Sequence, residues 1–195
     1  IGMAKTFTKL QPDIIVVLGD RYELLPICSA ALVMNIPIAH ISGGDVTIGA
    51  IDNEVRNAVT MMASLHFPGV EESAQNIIRM CNSSGNVWTV GEPGLDNFRR
   101  GTLMTRLELA ENIGIPIKNK WILVTLHPET NESLEYNLQM AKNIISLTDC
   151  KEDVSIVISK ANADFGGNQI NEYWAKVEKQ NPRKFHLYPS LGQMR

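Results

Sequence analysis

Three aspartates and a histidine stand where a chain of this pattern can carry out proton chemistry. Asp20 follows the apolar run 14–18, Asp45 and Asp52 flank a glycine-bearing loop beyond the run that ends at Ile41, and His127 closes the run that begins at Trp121. Carboxylates set around one ligand can divide the work: one gives or takes a proton while another steadies a growing positive charge. Substrate-binding candidates lie among them, namely Arg21, Ser42, Gly43, Gly44 and Arg56. A guanidinium can hold a phosphate or carboxylate, and a glycine pair lets main chain approach a ligand closely.

Each residue also has a plainer reading. Asp20 could cap the next helix, with Glu23 completing a capping box, although Pro26 pushes regular helix toward Leu25 and weakens that reading. Gly43-Gly44 could be only a turn. Asp52 could be an N-cap, or form with Arg56 a surface i,i+4 pair worth about 0.3–0.5 kcal/mol. Arg21 could simply pair with Glu23. A single histidine such as His127 is often structural, and His40, His66 and His186, within or beside strands, read as satisfied core or edge residues.

What must position these groups is a series of Val- and Ile-rich runs with amphipathic stretches between them, the pattern of parallel strands and crossover helices. A short opening helix ends at Pro12. Strands follow at 13–18, 37–41, 65–68 and 86–90, separated by helices at 25–34, near 51–62 (stripe Ile51, Val55, Ala58, Val59, Met62) and at 71–80. The rhythm lapses into helical pieces at 94–100 and 103–114, the second closed by Gly114 and Pro116. It resumes with strands at 121–126, 154–159 and 184–188 and helices around 134–147 and 169–179. The class is therefore α/β, with two Rossmann-like domains facing a cleft: an N-terminal domain over 1–96, a connection over 97–118 and the start of a second domain over 119–195. Right-handed crossovers put all strand carboxyl ends of a sheet on one edge, where open α/β sheets bind ligands. Acids, cations and glycines gather after the strands (19–21, 42–45, 91–96, His127, 160–162), whereas the opposite loops at 11–12 and 35–36 lack such groups.

The formal net charge of −3 shows no basic excess of the kind nucleic acid or an anionic membrane requires. Cys28, Cys81 and Cys150 are widely spaced without Cys-x-x-Cys or Cys/His pairing, so neither a disulfide framework nor a metal site is expected, and the cytoplasm is the expected compartment. The uncharged run 24–34 is too short to span a bilayer, and Asn35 and Pro37 follow it closely. Oligomeric state is left open, a homo-oligomer included.

In register along the chain, several motifs resemble the hydrolysing UDP-N-acetylglucosamine 2-epimerases, and the sialic-acid-type branch in particular. They are Pro12-Asp13 through Gly19-Asp20-Arg21-Tyr22-Glu23, Pro37 through His40-Ile41-Ser42-Gly43-Gly44-Asp45-Val46-Thr47, Asp52-Asn53-Glu54-Val55-Arg56-Asn57, Leu65-His66-Phe67, Gly91 to Asp96, and Val124-Thr125-Leu126-His127-Pro128. The resemblance implies two Rossmann-like domains in a GT-B-like arrangement, both incomplete in this chain: the family's first strand would lie before Ile1 and the loop that grips UDP beyond Arg195. It implies catalytic roles for Asp20, Asp52 and His127. Asp45 stands where this branch has a glutamate, and the other branch's catalytic glutamate corresponds to Ser42, which leaves one acid/base group to Asp45 or a neighbour.

The implied reaction converts UDP-N-acetylglucosamine to N-acetylmannosamine and UDP through a 2-acetamidoglucal, with no cofactor or metal and with closure about a hinge near 91–101. A GT-B glycosyltransferase, a non-catalytic nucleotide-sugar sensor and an epimerase of UDP-2,4-diacetamido-trideoxyhexose remain alternatives.

Overall fold

A computed structural model describes residues 2–99, 103–117, 120–149 and 153–192. The chain divides into two compact units, Ile1–Asp96 and Asn97–Arg195. Each is built on a three-stranded sheet in which every pairing is parallel.

The first unit runs α1 (Gly2–Leu10), β1 (Ile15–Leu18), α2 (Leu24–Val33), β2 (Ile38–Ile41), α3 (Asp52–Met62), β3 (Leu65–Phe67) and α4 (Glu71–Cys81), with strand order β1-β2-β3. Strands laid down in sequence order through right-handed crossovers send successive helices to one face. There Val17 and Ile38 meet Phe7 of α1, Cys28 and Ala31 of α2, and Val55 and Val59 of α3 in one core. The alternate residues Val16 and Leu18 point to the other face and are exposed. Helix α2 opens at Leu24 with Glu23 in the N-cap position. Pro26 therefore falls in the first turn, where an N–H has no helical partner to lose.

The fourth strand expected at 86–90 is reduced to one bridge, His66 opposite Val87. The backbone still runs alongside β3: His66 N donates to Asn86 O (2.8 Å), Trp88 N to His66 O (2.9 Å) and Val90 N to Pro68 O (3.0 Å). The rung between the last two would need an N–H from Pro68, which has none, so the ladder is broken there.

A 3₁₀ turn (Pro93–Leu95) ends the first unit, and the short α5 (Asp96–Arg99) leads into the second unit. That unit contains α6 (Arg106–Ile113), β4 (Lys120–Thr125), α7 (Leu134–Asp149), β5 (Val154–Ser159), α8 (Gly167–Gln180) and β6 (Phe185–Tyr188), ordered β4-β5-β6. Ile156 and Ile158 point to α7 and α8, packing with Ala141, Ile170 and Trp174. Val157 points to the other face, against Ile113 of α6 and Ile115. Helix α6 begins at 106 rather than 103 because Thr105 and Glu108 form a complete capping box, and it closes on Gly114 at φ +68°.

No helix among the described residues is long and apolar enough to cross a membrane. Cys28 and Cys81 are free thiols, while Cys150, part of the expected hinge (100–101) and the chain end 193–195 lie outside the described residues.

Candidate active site

The carboxyl end of β1 turns sharply at Gly19, whose φ of +75° suits a residue without a side chain. Beneath it, buried His40 on the neighbouring strand bridges two elements. Its Nε2 lies 2.8 Å from the Gly19 carbonyl, and its Nδ1 lies 3.2 Å from Thr60 Oγ1 on α3. Burial pushes the His40 pKa down, with the positive charge of Arg56 acting in the same direction, while the Gly19 hydrogen bond and Asp20 oppose it. The ring is thus held neutral, and it ties the backbone just before Asp20 to the helix that carries Asp52 and Arg56.

Arg56 is the centre of the edge. It is only 6% exposed, and its terminal nitrogens are engaged within the protein. One terminal nitrogen, Nη2, makes an ion pair with Asp20 Oδ2. The other, Nη1, donates to the Asp45 carbonyl and to Thr47 Oγ1, each at 2.9 Å. A planar fork can serve partners on two sides at once, and here it joins the loop after β1 to the loop after β2.

The glycine pair packs closely against its neighbours. A Cβ on Gly43 would come within 2.8 Å of His40 Nδ1, and one on Gly44 within 2.2 Å of the Ser73 carbonyl, where φ is also +81°. This tight seat presses the 43–47 loop onto α4. Ser73 Oγ donates to Asp45 Oδ1 at 2.5 Å, and Asn76 Nδ2 donates to the Gly44 carbonyl at 2.8 Å. A cleft of about 430 Å³ opens beside it, lined by Asp45, Thr47, Arg56, Glu72 and Ser73 among others. Ser42, at φ +58°, donates its hydroxyl to Glu92 at 3.0 Å.

Asp52 is the first residue of α3, with Ile51 in the N-cap position, so it lies in the helical turn where a negative charge complements the dipole. Arg21 and Glu23 form a half-exposed ion pair at 3.2 Å, and the Arg21 guanidinium also lies 5.5 Å from the centre of the Tyr22 ring. In the second unit His127 follows β4, exposed, and the Asn162 backbone N–H donates to its Nδ1 at 3.1 Å. An accepting Nδ1 places the ring proton of a neutral imidazole on Nε2, which has no partner among the described residues. The first unit thus gathers Asp20, Asp45, Arg56, Ser42 and the two glycines on one sheet edge, with Asp52 heading the helix that bears Arg56.

Comparison with known proteins matches the whole of residues 1–195 to the family model described as UDP-N-acetylglucosamine 2-epimerase. The chain belongs to the UDP-N-acetylglucosamine 2-epimerase family. It is 30% identical over 194 residues to the GDP/UDP-N,N'-diacetylbacillosamine 2-epimerase (hydrolyzing) of Campylobacter jejuni, covering 100% of this chain and 50% of that protein. With the UDP-N,N'-diacetylbacillosamine 2-epimerase (hydrolyzing) of Legionella pneumophila it shares 31% identity over 88% of this chain and 45% of the relative. Its fold is also that of the Neisseria meningitidis UDP-GlcNAc 2-epimerase, solved bound to UDP-GlcNAc, with a TM-score of 0.76 at 19% identity over 97% of this chain and 52% of that one. The chain spans about half the length of these relatives.

Within this epimerase-family chain, sequence reasoning singled out the acids but missed Thr60, Ser73 and Asn76, and it named the 91–96 and 160–162 stretches without giving Glu92 or Asn162 a partner. A partial signal existed on α3, where Asp52, Arg56 and Thr60 recur every four residues beside the apolar stripe, a polar row along the buried flank of an amphipathic helix. His40 fits its reading as a satisfied core residue. His66 and His186 correct theirs, since His66 Nδ1 and His186 Nε2 are buried without a hydrogen-bond partner among the described residues.

Proposed function

We propose that the full-length protein is a hydrolysing 2-epimerase of a UDP-linked 2-acetamido sugar, releasing UDP and the C2-inverted sugar. The observation that carries this reading is the single buried guanidinium of Arg56, which binds the Asp20 carboxylate on one side and the Asp45 main chain on the other. It sets two acids at neighbouring strand ends, on the edge where an α/β sheet receives its ligand.

The chemistry calls for such a pair. The C2 proton of a UDP-N-acetyl sugar is not next to a carbonyl and is only weakly acidic. As the C1–O bond stretches, positive charge grows at C1 and the ring oxygen, which acidifies C2–H and is stabilised by a carboxylate held in place. Asp20, fixed by Arg56, suits that electrostatic role. Asp45 and Asp52 are the candidates for proton transfer. Loss of UDP and the C2 proton gives a 2-acetamidoglucal, which water then attacks at C1 while C2 is protonated on the opposite face. His127, whose Nε2–H has no partner among the described residues, suits the leaving phosphate. Two Rossmann-like domains facing a cleft, formed by 1–96 and 119–195 joined through 97–118, would set His127 across from the acids. The reaction calls for neither redox cofactor nor metal, and the cytoplasm is the compartment that fits a soluble nucleotide sugar.

UDP-N-acetylglucosamine is one substrate reading, giving N-acetylmannosamine. A second, a UDP-2,4-diacetamido-trideoxyhexose, is supported by the relatives named as diacetylbacillosamine 2-epimerases at 30% and 31% identity, against 26% for the Neisseria meningitidis relative named UDP-N-acetylglucosamine 2-epimerase. Incubating the full-length protein in D₂O with each sugar, without any acceptor, is expected to release UDP and leave deuterium at C2 of the product. Product lacking deuterium at C2 would end the elimination route. Absence of UDP release with both sugars would end the epimerase reading.

A further inference from the structure

Glu92 is a carboxylate on the same sheet edge that no role above employs. It follows the 86–90 segment, and its Oε2 accepts the Ser42 hydroxyl at 3.0 Å. Two features of the backbone accommodate this contact. Ser42 holds φ +58°, a left-handed conformation that non-glycine residues enter at a cost. Gly69 leaves the space through which the Glu92 side chain passes, since a Cβ there would lie 1.8 Å from Oε1 and 2.7 Å from Cδ. Any larger residue at 69 would drive the carboxylate away from Ser42. Glu92 is nevertheless exposed, so its carboxyl group stays open to a ligand.

The carboxylates of this edge differ in how their charge is engaged. Asp20 is ion-paired with Arg56. Asp45 takes a short hydrogen bond from Ser73 and lies on a loop clamped at Gly44. Glu92, like Asp45, receives a neutral hydroxyl that orients it without opposing charge, and unlike the half-buried Asp45 it is exposed. A residue that must gain and lose a proton in each turnover is better served by that environment than by a fixed cation.

We propose that Glu92 is a proton-transfer residue of the reaction proposed above, on which this inference rests, with Ser42 as its positioning residue. As the C1–O bond breaks and its electron pair leaves with UDP, a Glu92 oxygen takes the C2 proton, and the C2–H electron pair becomes the C1=C2 double bond. The proton then passes from the neutral carboxyl group to solvent. Reprotonation of C2 comes from a different acid, because it occurs on the opposite face.

The test uses the full-length protein with each UDP-sugar. Glu92→Gln keeps side-chain size and an oxygen that accepts from Ser42, so the fold is retained. It is expected to lower kcat by about 100-fold or more, the scale of general acid–base catalysis. KM should stay within threefold, and the acidic limb of the kcat–pH profile should disappear. Glu92→Asp should recover part of kcat together with that limb. Ser42→Ala should lower kcat less than Glu92→Gln and keep the limb. Glu92→Gln retaining a third or more of kcat, or keeping the acidic limb, overturns the assignment while leaving the epimerase reading in place. A wild-type protein that releases no UDP overturns both.

Discussion

Replacing Arg56 by lysine keeps the positive charge but takes away the fork. In the structure Nη2 serves the Asp20 carboxylate, while Nη1 serves the Asp45 carbonyl and Thr47 Oγ1, both at 2.9 Å. A single ammonium can reach one of these sides, so at least one interaction with a charged donor is lost and the abandoned group is left in a poorly solvated place. A hydrogen bond to a charged group contributes about 1.5–3 kcal/mol, and a polar group stranded on burial adds to the loss. The expected cost of Arg56→Lys is therefore about 3 kcal/mol. At roughly 2–4 °C per kcal/mol for a fold of this size, Tm should fall by roughly 6–12 °C. Urea unfolding and calorimetry of the full-length protein measure this directly. A double-mutant cycle with Thr47→Val isolates the shared contact, and coupling of about 0.5 kcal/mol or more is expected because the two residues touch. A Tm within 2 °C of wild type for Arg56→Lys, together with additive effects in the cycle, would refute the account of Arg56 as the link between the two loops.

Gly44→Ala should destabilise by about 2–4 kcal/mol, because a Cβ would fall 2.2 Å from the Ser73 carbonyl and the backbone sits at φ +81°, combining overpacking with left-handed strain; unfolding free energy from urea titration checks it, and a loss below 1 kcal/mol would contradict it. Burial lowers the pKa of His40, His66 and His186 from the ordinary 6.5, so the folded state binds fewer protons than the unfolded one. Their contribution to stability is complete above the unfolded pKa and is lost as pH falls through about 6.5 and below. Unfolding free energy should drop from pH 7.5 to 5, with a shallower drop in His66→Phe, and a flat profile in wild type would contradict the burial.

The α/β class was legible in the sequence because buried parallel strands need continuous Val- and Ile-rich runs, and crossover helices need a stripe such as Val55, Val59 and Met62. Both patterns are local consequences of burial. The chemistry-bearing side of the sheet was legible for the same reason: once strand direction is known, residues 19–21 and 42–45 must share an edge. The fourth strand was misjudged because its residues suit a strand, while its ladder depends on Pro68 of the neighbouring segment, which lacks an N–H.

The residue types and the order of Asp20, Asp45, Asp52 and Arg56 follow from the sequence alone. Their partners do not. Arg56 and Asp52 are four apart on one helix and read either as a surface pair or as site residues, while folding buries Arg56 and gives it Asp20, 36 positions away. Gly43 and Gly44 read as ligand contacts or a turn, and only the fold shows how closely they pack against His40 and α4. Glu92 stands in the 91–96 stretch that the sequence already puts at the sheet edge, but nothing local pairs it with Ser42, since their meeting across the space over Gly69 joins residues 50 positions apart. Local patterns encode which surfaces are buried, while the pairing of polar groups at a sheet edge depends on loops brought together by the tertiary packing.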